Sequence, residues 1–161
     1  MPRGDIIHVK GFTDSSVYPG TARDWWIYVP QQLSASTQPP ALIVFQDGHM
    51  YVKEDGDVHA PGVLDTMIDR GDIPVTVGVF VNPGIIASEA DDIAASTEFA
   101  ITKSQRSKEY DSVTGDYSEF LLGDVLPRVE ARLGRKLSRD PAQRIICGIS
   151  SGGICAFNTA W

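Results

Sequence analysis

No apolar run in this 161-residue chain approaches the length of a membrane span. The longest, ALIVF and VGVFV, fall far short of the roughly 20 residues a spanning helix needs. The N-terminal MPRGDIIHVKG has no apolar signal-peptide core, so the chain reads as cytoplasmic, or as exported with its signal removed. Basic residues are scarce as well: 14 Lys and Arg stand against 21 Asp and Glu, a net charge of −7, and no stretch gathers the cations into a run. Nucleic acid and anionic membrane surfaces are therefore poor partners. Cysteine is limited to Cys147 and Cys155, which read as buried thiols acting as small hydrophobes rather than as a disulfide or a metal site. No metal site is expected.

What is present is an ordinary globular composition: 42% hydrophobic and 22% charged residues, with 15 Gly and 10 Pro that imply many turns. This length suits one domain, residues 1–161. Three β-rich apolar runs, ALIVFQ (41–46), VTVGVFV (75–81) and RIICGIS (144–150), read as fully buried parallel strands. Ahead of them, DIIHVKGF and RDWWIYVP flank the turn-rich TDSSVYPGTA and predict an antiparallel hairpin at the sheet edge. APGVLDTMIDRG places Val63, Leu64, Met67 and Ile68 on one helical face and stops at Gly71. Over 117–133, Tyr117, Phe120, Leu121, Val125, Val129 and Leu133 recur at helical spacing, with a kink or break expected at Gly123 and Pro127. Strands alternating with helices imply an α/β fold with helices on both faces of a mostly parallel sheet. The connection from Asn82 to Gly115 shows no convincing periodicity beyond a short helix around Ile93 to Phe99, and a connection that long in a compact domain is commonly functional.

Gly148-Ile149-Ser150-Ser151-Gly152 fits G-x-S-x-G, with an apolar strand before it and a helix-compatible segment after it. That chemistry demands a tight strand-to-helix turn that lifts the serine Oγ above the sheet, which glycines at 148 and 152 permit. Ser150 is the candidate nucleophile. The helix beginning beside it turns unpaired amides toward any oxyanion, with Ser151 N–H the natural donor. A phosphate-binding loop is disfavoured, because GISSGG lacks both the P-loop and the dinucleotide patterns and no Lys follows. A second oxyanion donor is expected from the loop after the first buried strand, FQDGHMYV, through the amide of Gly48 or His49, with Gly48 allowing close approach of the chain to substrate.

Together RDWWIYVP, ALIVFQDGHMYV, PVTVGVFVNPG, QRSKEYDSVTGDYSEFLLGDVLPRVE and RIICGISSGGICAFNTAW resemble the esterase family of α/β-hydrolases that includes enterochelin esterases, esterase D and feruloyl esterases. The likeness is closest to the enterochelin-esterase-like branch. The resemblance implies a three-layer α/β-hydrolase sandwich, a Ser-His-Asp triad and hydrolysis of a small-molecule ester without a cofactor. It carries the nucleophile onto Ser150 and the oxyanion loop onto Asp47, Gly48 and His49. RSKEYD matches the family's R-S-x-E-Y-D signature near the active site. Arg106, Glu109 and Asp111 would form a buried charge-assisted cluster that fixes the long loop, the favoured role, or Arg106 and Tyr110 would contact substrate.

The eleven residues after Ser150 contain no Asp, Glu or His, whereas the triad acid and base of α/β-hydrolases follow the serine in the chain. Of the upstream histidines, His8 belongs to the edge hairpin and His59 to an acidic loop, and His49 is placed as an oxyanion-loop residue rather than a base. The expectation is an incomplete hydrolase domain whose acid and His lie beyond Trp161, the 161 residues alone being a poor esterase. The alternative is an inactive protein on a hydrolase scaffold that serves as a binding or interaction module. The ester cleaved is open, and a homo-oligomer is compatible with the sequence.

Overall fold

The computed structural model describes residues 3–89 and 104–161. Its centre is a six-stranded mixed sheet made of β1 (Asp5–Phe12), β2 (Thr21–Val29), β3 (Ala41–Gln46), β4 (Thr76–Val81), β5 (Ile85–Ile86) and β6 (Arg144–Cys147). The order is β1-β2-β4-β3-β6, with β5 paired to the start of β2. The expected hairpin is there as the antiparallel pair β1 and β2, with β2 also antiparallel to β4, and the parallel part comprises β4, β3 and β6.

All six residues of β4 are buried, because both faces of the sheet are covered. Strand alternation sends Val77, Val79 and Val81 with Leu42 and Val44 into one core, and Phe80 with Phe45 and Tyr28 into the other. The Phe45 and Phe80 rings stack 4.9 Å apart. The second core is closed by α1 (His49–Val52) through Tyr51 and by α2 (Ala60–Arg70) through Leu64 and Ile68. Burying each of those two aliphatic side chains contributes on the order of 1.5–3 kcal/mol. The first core is closed by α3 (Arg106–Tyr110), α4 (Asp116–Glu119), α5 (Leu126–Leu133) and α6 (Ser151–Ala160).

Sequence and structure differ in several places, α1 and α3 lying in stretches that showed no helical periodicity. In α2 the buried set is Ala60, Leu64, Asp65 and Ile68, while Val63 faces outward, because Asp65 turns inward to accept hydrogen bonds from Tyr28 Oη and Gly4 N, both at 2.8 Å. Gly71 ends that helix as expected, in a left-handed conformation that returns its amide to Ile68. Between α4 and α5 the helix is not broken. A π-helical turn over Phe120–Val125 carries it through, since Pro127 has no N–H to give and the ladder widens just before it. β6 is shorter than 144–150 and only half-buried: in this sheet it pairs with β3 alone, which leaves Ile145 58% exposed. The long connection holds β5 and α3, and the helix expected near Ile93 to Phe99 lies outside the described residues.

Asp124, buried at the π-helical turn, anchors the loop between β1 and β2. Its carboxylate accepts from Ser15 Oγ and Ser16 Oγ at 2.8 Å and from Ser16 N at 3.0 Å. Burial alone raises a carboxyl's pKa, but these hydrogen bonds outweigh it and hold Asp124 below the ordinary value. A depressed folded-state pKa means a contribution present in full above about pH 4 and lost as pH falls through the folded value. Asp124→Asn should therefore cost about 1–2 kcal/mol at pH 7. Urea unfolding at pH 7 and pH 3 checks this, the gap between variant and parent narrowing at the lower pH.

Candidate active site

β6 ends at Cys147, and the chain turns through Gly148, Ile149 and Ser150 into α6. Ser150 sits at φ 56°, ψ −126°, a backbone region that non-glycine residues rarely occupy and that costs on the order of 1–3 kcal/mol. The surroundings enforce it. A Cβ on Gly148 would overlap the carbonyl of Gly152, so strand end and helix start cross too closely for any side chain at 148, and one on Gly152 would press on Asp47 Oδ2 at 3.2 Å. The turn closes through Gly152 N to Ile149 O at 3.0 Å, Gly153 N to Ser150 O at 2.9 Å and Ile154 N to Ser150 O at 3.1 Å. Ser151 N–H, the first amide of the helix, takes no part in these bonds. The outcome is an exposed Ser150 hydroxyl beside a helix N-terminus.

The loop after β3 borders this turn. Asp47 is also left-handed, at φ 54°. Its amide donates to Tyr110 Oη at 3.1 Å, that of Gly48 to Val81 O at 3.1 Å and that of His49 to Asn82 Oδ1 at 3.0 Å. The same Asn82 oxygen lies 2.9 Å from His49 Nδ1; since the backbone amide already identifies that atom as an acceptor, Nδ1 carries the proton. Gly48 is required by the packing itself, because a Cβ there would overlap the β4 backbone at Phe80 and Val81.

RSKEYD folds as α3 and its following residue, with its charges directed to different places. Glu109 is buried and forms a two-pronged pair with Arg23, Nη1 to Oε2 at 2.7 Å and Nη2 to Oε1 at 2.9 Å, while Gly84 N donates to the same carboxylate. Arg23 lies 4.3 Å from the centre of the Phe120 ring. Arg106 pairs with Asp47, Nε to Oδ1 and Nη2 to Oδ2 both at 2.8 Å, and Nη2 reaches Ile149 O at 3.4 Å. Tyr110, fully buried, donates to Val81 O at 3.3 Å, and burial pushes its pKa far up, so it keeps the proton it donates. Asp111 is exposed, so the single cluster of Arg106, Glu109 and Asp111 does not form.

The esterase family model described as "Putative esterase" matches residues 16–161. The chain belongs to that esterase family. No curated protein sequence matches it significantly. Among solved structures it resembles the enterobactin esterase of Shigella flexneri, at 19% identity and a TM-score of 0.62, over 98% of this chain and 32% of that one. It also resembles the ferric enterobactin esterase of Salmonella typhimurium, at 18% identity and a TM-score of 0.68, over 98% and 33%. A third likeness is to the ferulic acid esterase of the fungus Anaeromyces mucronatus, at 14% identity and a TM-score of 0.53, over 94% and 50%. The fold is that of part of an α/β-hydrolase esterase, and the chain spans a third to a half of the length of these structures.

Within this esterase fold, Ser150, Ser151, Gly148 and Gly152 form one turn, and Asp47 touches it through Gly152 and, by way of Arg106, Ile149. Gly48 and His49 are adjacent in the chain, but both of their amides are engaged. Arg23, Asn82 and Gly84 were not anticipated. Arg23 left a signal as a lone cation inside an apolar strand, and Asn82 and Gly84 as the turn residues directly after β4. Cys155 is buried, its thiol pushed up to about 12 by desolvation, and Cys147 is half-buried; both are unpaired, in keeping with inert packing. His8 is exposed, paired to Asp24 at 2.8 Å and stacked on Trp26. Among the described residues no helix is long and apolar enough to cross a membrane.

Proposed function

We propose that the protein hydrolyses carboxylic esters of small molecules through an acyl-enzyme on Ser150. The observation that carries this reading is the Ser150 backbone at φ 56°, ψ −126°, held there by two glycines in backbone contact at the end of a parallel strand. A merely structural Ser-Gly turn would have no reason to hold a non-glycine residue in so costly a conformation. Ser150 Oγ attacks the ester carbonyl, and the hydroxyl proton passes to a histidine contributed by residues beyond Trp161 and oriented by an acid from the same part. Collapse of the tetrahedral oxyanion breaks the bond to the leaving alcohol, which takes up that proton, and water then releases the acid by the same steps.

Ser151 N–H supplies one oxyanion donor. Of the two loop amides, Gly48's is a backbone bond to β4, whereas His49's is held by a side chain, Asn82, that can rotate away. His49 N–H is therefore the second donor, released when substrate arrives. The test is to treat the full-length protein with a fluorophosphonate and map the adduct by peptide mass spectrometry. Modification at Ser150, with parallel loss of p-nitrophenyl ester hydrolysis, is expected. Hydrolysis that persists, or an adduct on another residue, would rule the assignment out.

A further inference from the structure

Resting on the reading of Ser150 as nucleophile, we infer that Arg106 is a positioning residue that clamps the two halves of the oxyanion site together and cancels the charge of Asp47 beside it. The site is built from chain segments distant in sequence, the turn at Ser150 and the loop after β3, and no backbone hydrogen bond among those described joins them. Arg106 does join them. Its Nε and Nη2 hold both oxygens of Asp47 at 2.8 Å, and Nη2 reaches the carbonyl of Ile149, the residue before Ser150, at 3.4 Å. A fork of this kind fixes orientation as well as distance, which an ammonium cannot do.

The charge matters as much as the geometry. Asp47 is buried, and its Oδ2 packs against the first turn of α6 at Gly152, two residues from Ser150. A bare carboxylate there would oppose the negative charge that develops on the substrate oxygen, and because Asp47 is itself buried that repulsion is less screened than between two exposed charges. With Arg106 in place the pair is neutral. Arg106 is itself located by the same short helix that carries Glu109 and Tyr110, one bolted to Arg23 and Gly84, the other to Asp47 N and Val81 O. RSKEYD is thus a rigid mount for a single guanidinium.

This account predicts a specific order among variants of the full-length protein assayed on p-nitrophenyl acetate. Arg106→Gln leaves Asp47 charged and the clamp broken, and should lower kcat at least about tenfold with KM changed less than about twofold, the split expected when transition-state stabilisation alone is lost. The fluorophosphonate labelling rate should fall in parallel. The double variant Arg106→Gln with Asp47→Asn restores neutrality and should be faster than Arg106→Gln alone, a coupling that a purely structural loss does not produce. Arg106→Lys keeps the charge without the fork and should fall between parent and Arg106→Gln; it also serves if Arg106→Gln fails to fold, as judged by thermal unfolding. Arg106 variants with parental kcat and labelling rate, or a double variant no faster than Arg106→Gln, overturn the inference and leave Ser150 as nucleophile intact. A parent protein that is not labelled at Ser150 overturns both.

Discussion

Ser150→Ala should lower kcat/KM for ester hydrolysis by about 10⁴–10⁶ in the full-length protein, because no other group can form the acyl bond and members of a nucleophile-base unit fail together. Residual turnover would come from substrate binding and oxyanion donors alone. Ser150→Gly should be equally inactive but more stable than the parent, by about 1 kcal/mol or more, since glycine adopts φ 56° without the steric strain that serine bears there. The pair of variants therefore separates chemistry from strain. Steady-state kinetics and thermal unfolding, run side by side, give both answers. An active Ser150→Ala protein would refute the mechanism, and a Ser150→Gly protein less stable than the parent would mean the turn is not strained.

The largest effect on stability is expected at Glu109. Its pair with Arg23 is almost wholly excluded from solvent, the side chains being 0% and 1% exposed. Glu109→Ala removes the acceptor for two guanidinium nitrogens and for Gly84 N, and leaves an uncompensated cation in the interior. Breaking such a pair from one side typically costs about 3–5 kcal/mol. Arg23→Met combined with Glu109→Leu should recover much of that loss, since apolar replacement removes both desolvation penalties at once. Denaturant unfolding with an unchanged m-value would verify the figures, and a loss below about 1 kcal/mol for Glu109→Ala would show that Arg23 finds other partners or water. Because Glu109 holds α3, an accompanying loss of activity would trace the effect to Arg106.

The β-hairpin, the buried strands β3 and β4, the helices over 60–70 and 117–133 and the serine turn were legible in the sequence because each rests on local rules, whereas the short helices α1 and α3 were not. Alternation and β-rich runs report strands, three- and four-residue spacing reports helices, and glycines around a serine after an apolar strand report the elbow. Helical spacing even identified the buried face of 117–133, where Tyr117, Phe120, Leu121, Val125 and Val129 all enter the core. It did not anticipate that Asp65 would displace Val63 from the buried face of α2, because the partner that draws Asp65 inward, Tyr28, is 37 residues away.

Pairing of charges lay beyond the sequence for the same reason. Arg106, Glu109 and Asp111 stand within one short motif, and proximity in the chain suggested a common cluster. Yet positions three apart on a helix need not share a partner when the sheet supplies others, and Arg106 pairs with Asp47 across 59 residues while Glu109 pairs with Arg23 across 86. Gly48, read as room for substrate, also makes room for β4. The sequence by itself determined the main strands, the helices over 60–70 and 117–133 and the family resemblance, and it singled out Ser150 as a candidate, since each follows from local periodicity or from contiguous motifs. Only the tertiary structure decided which carboxylate each arginine neutralises and which loop amides are already engaged, because those depend on groups that meet only when distant segments pack.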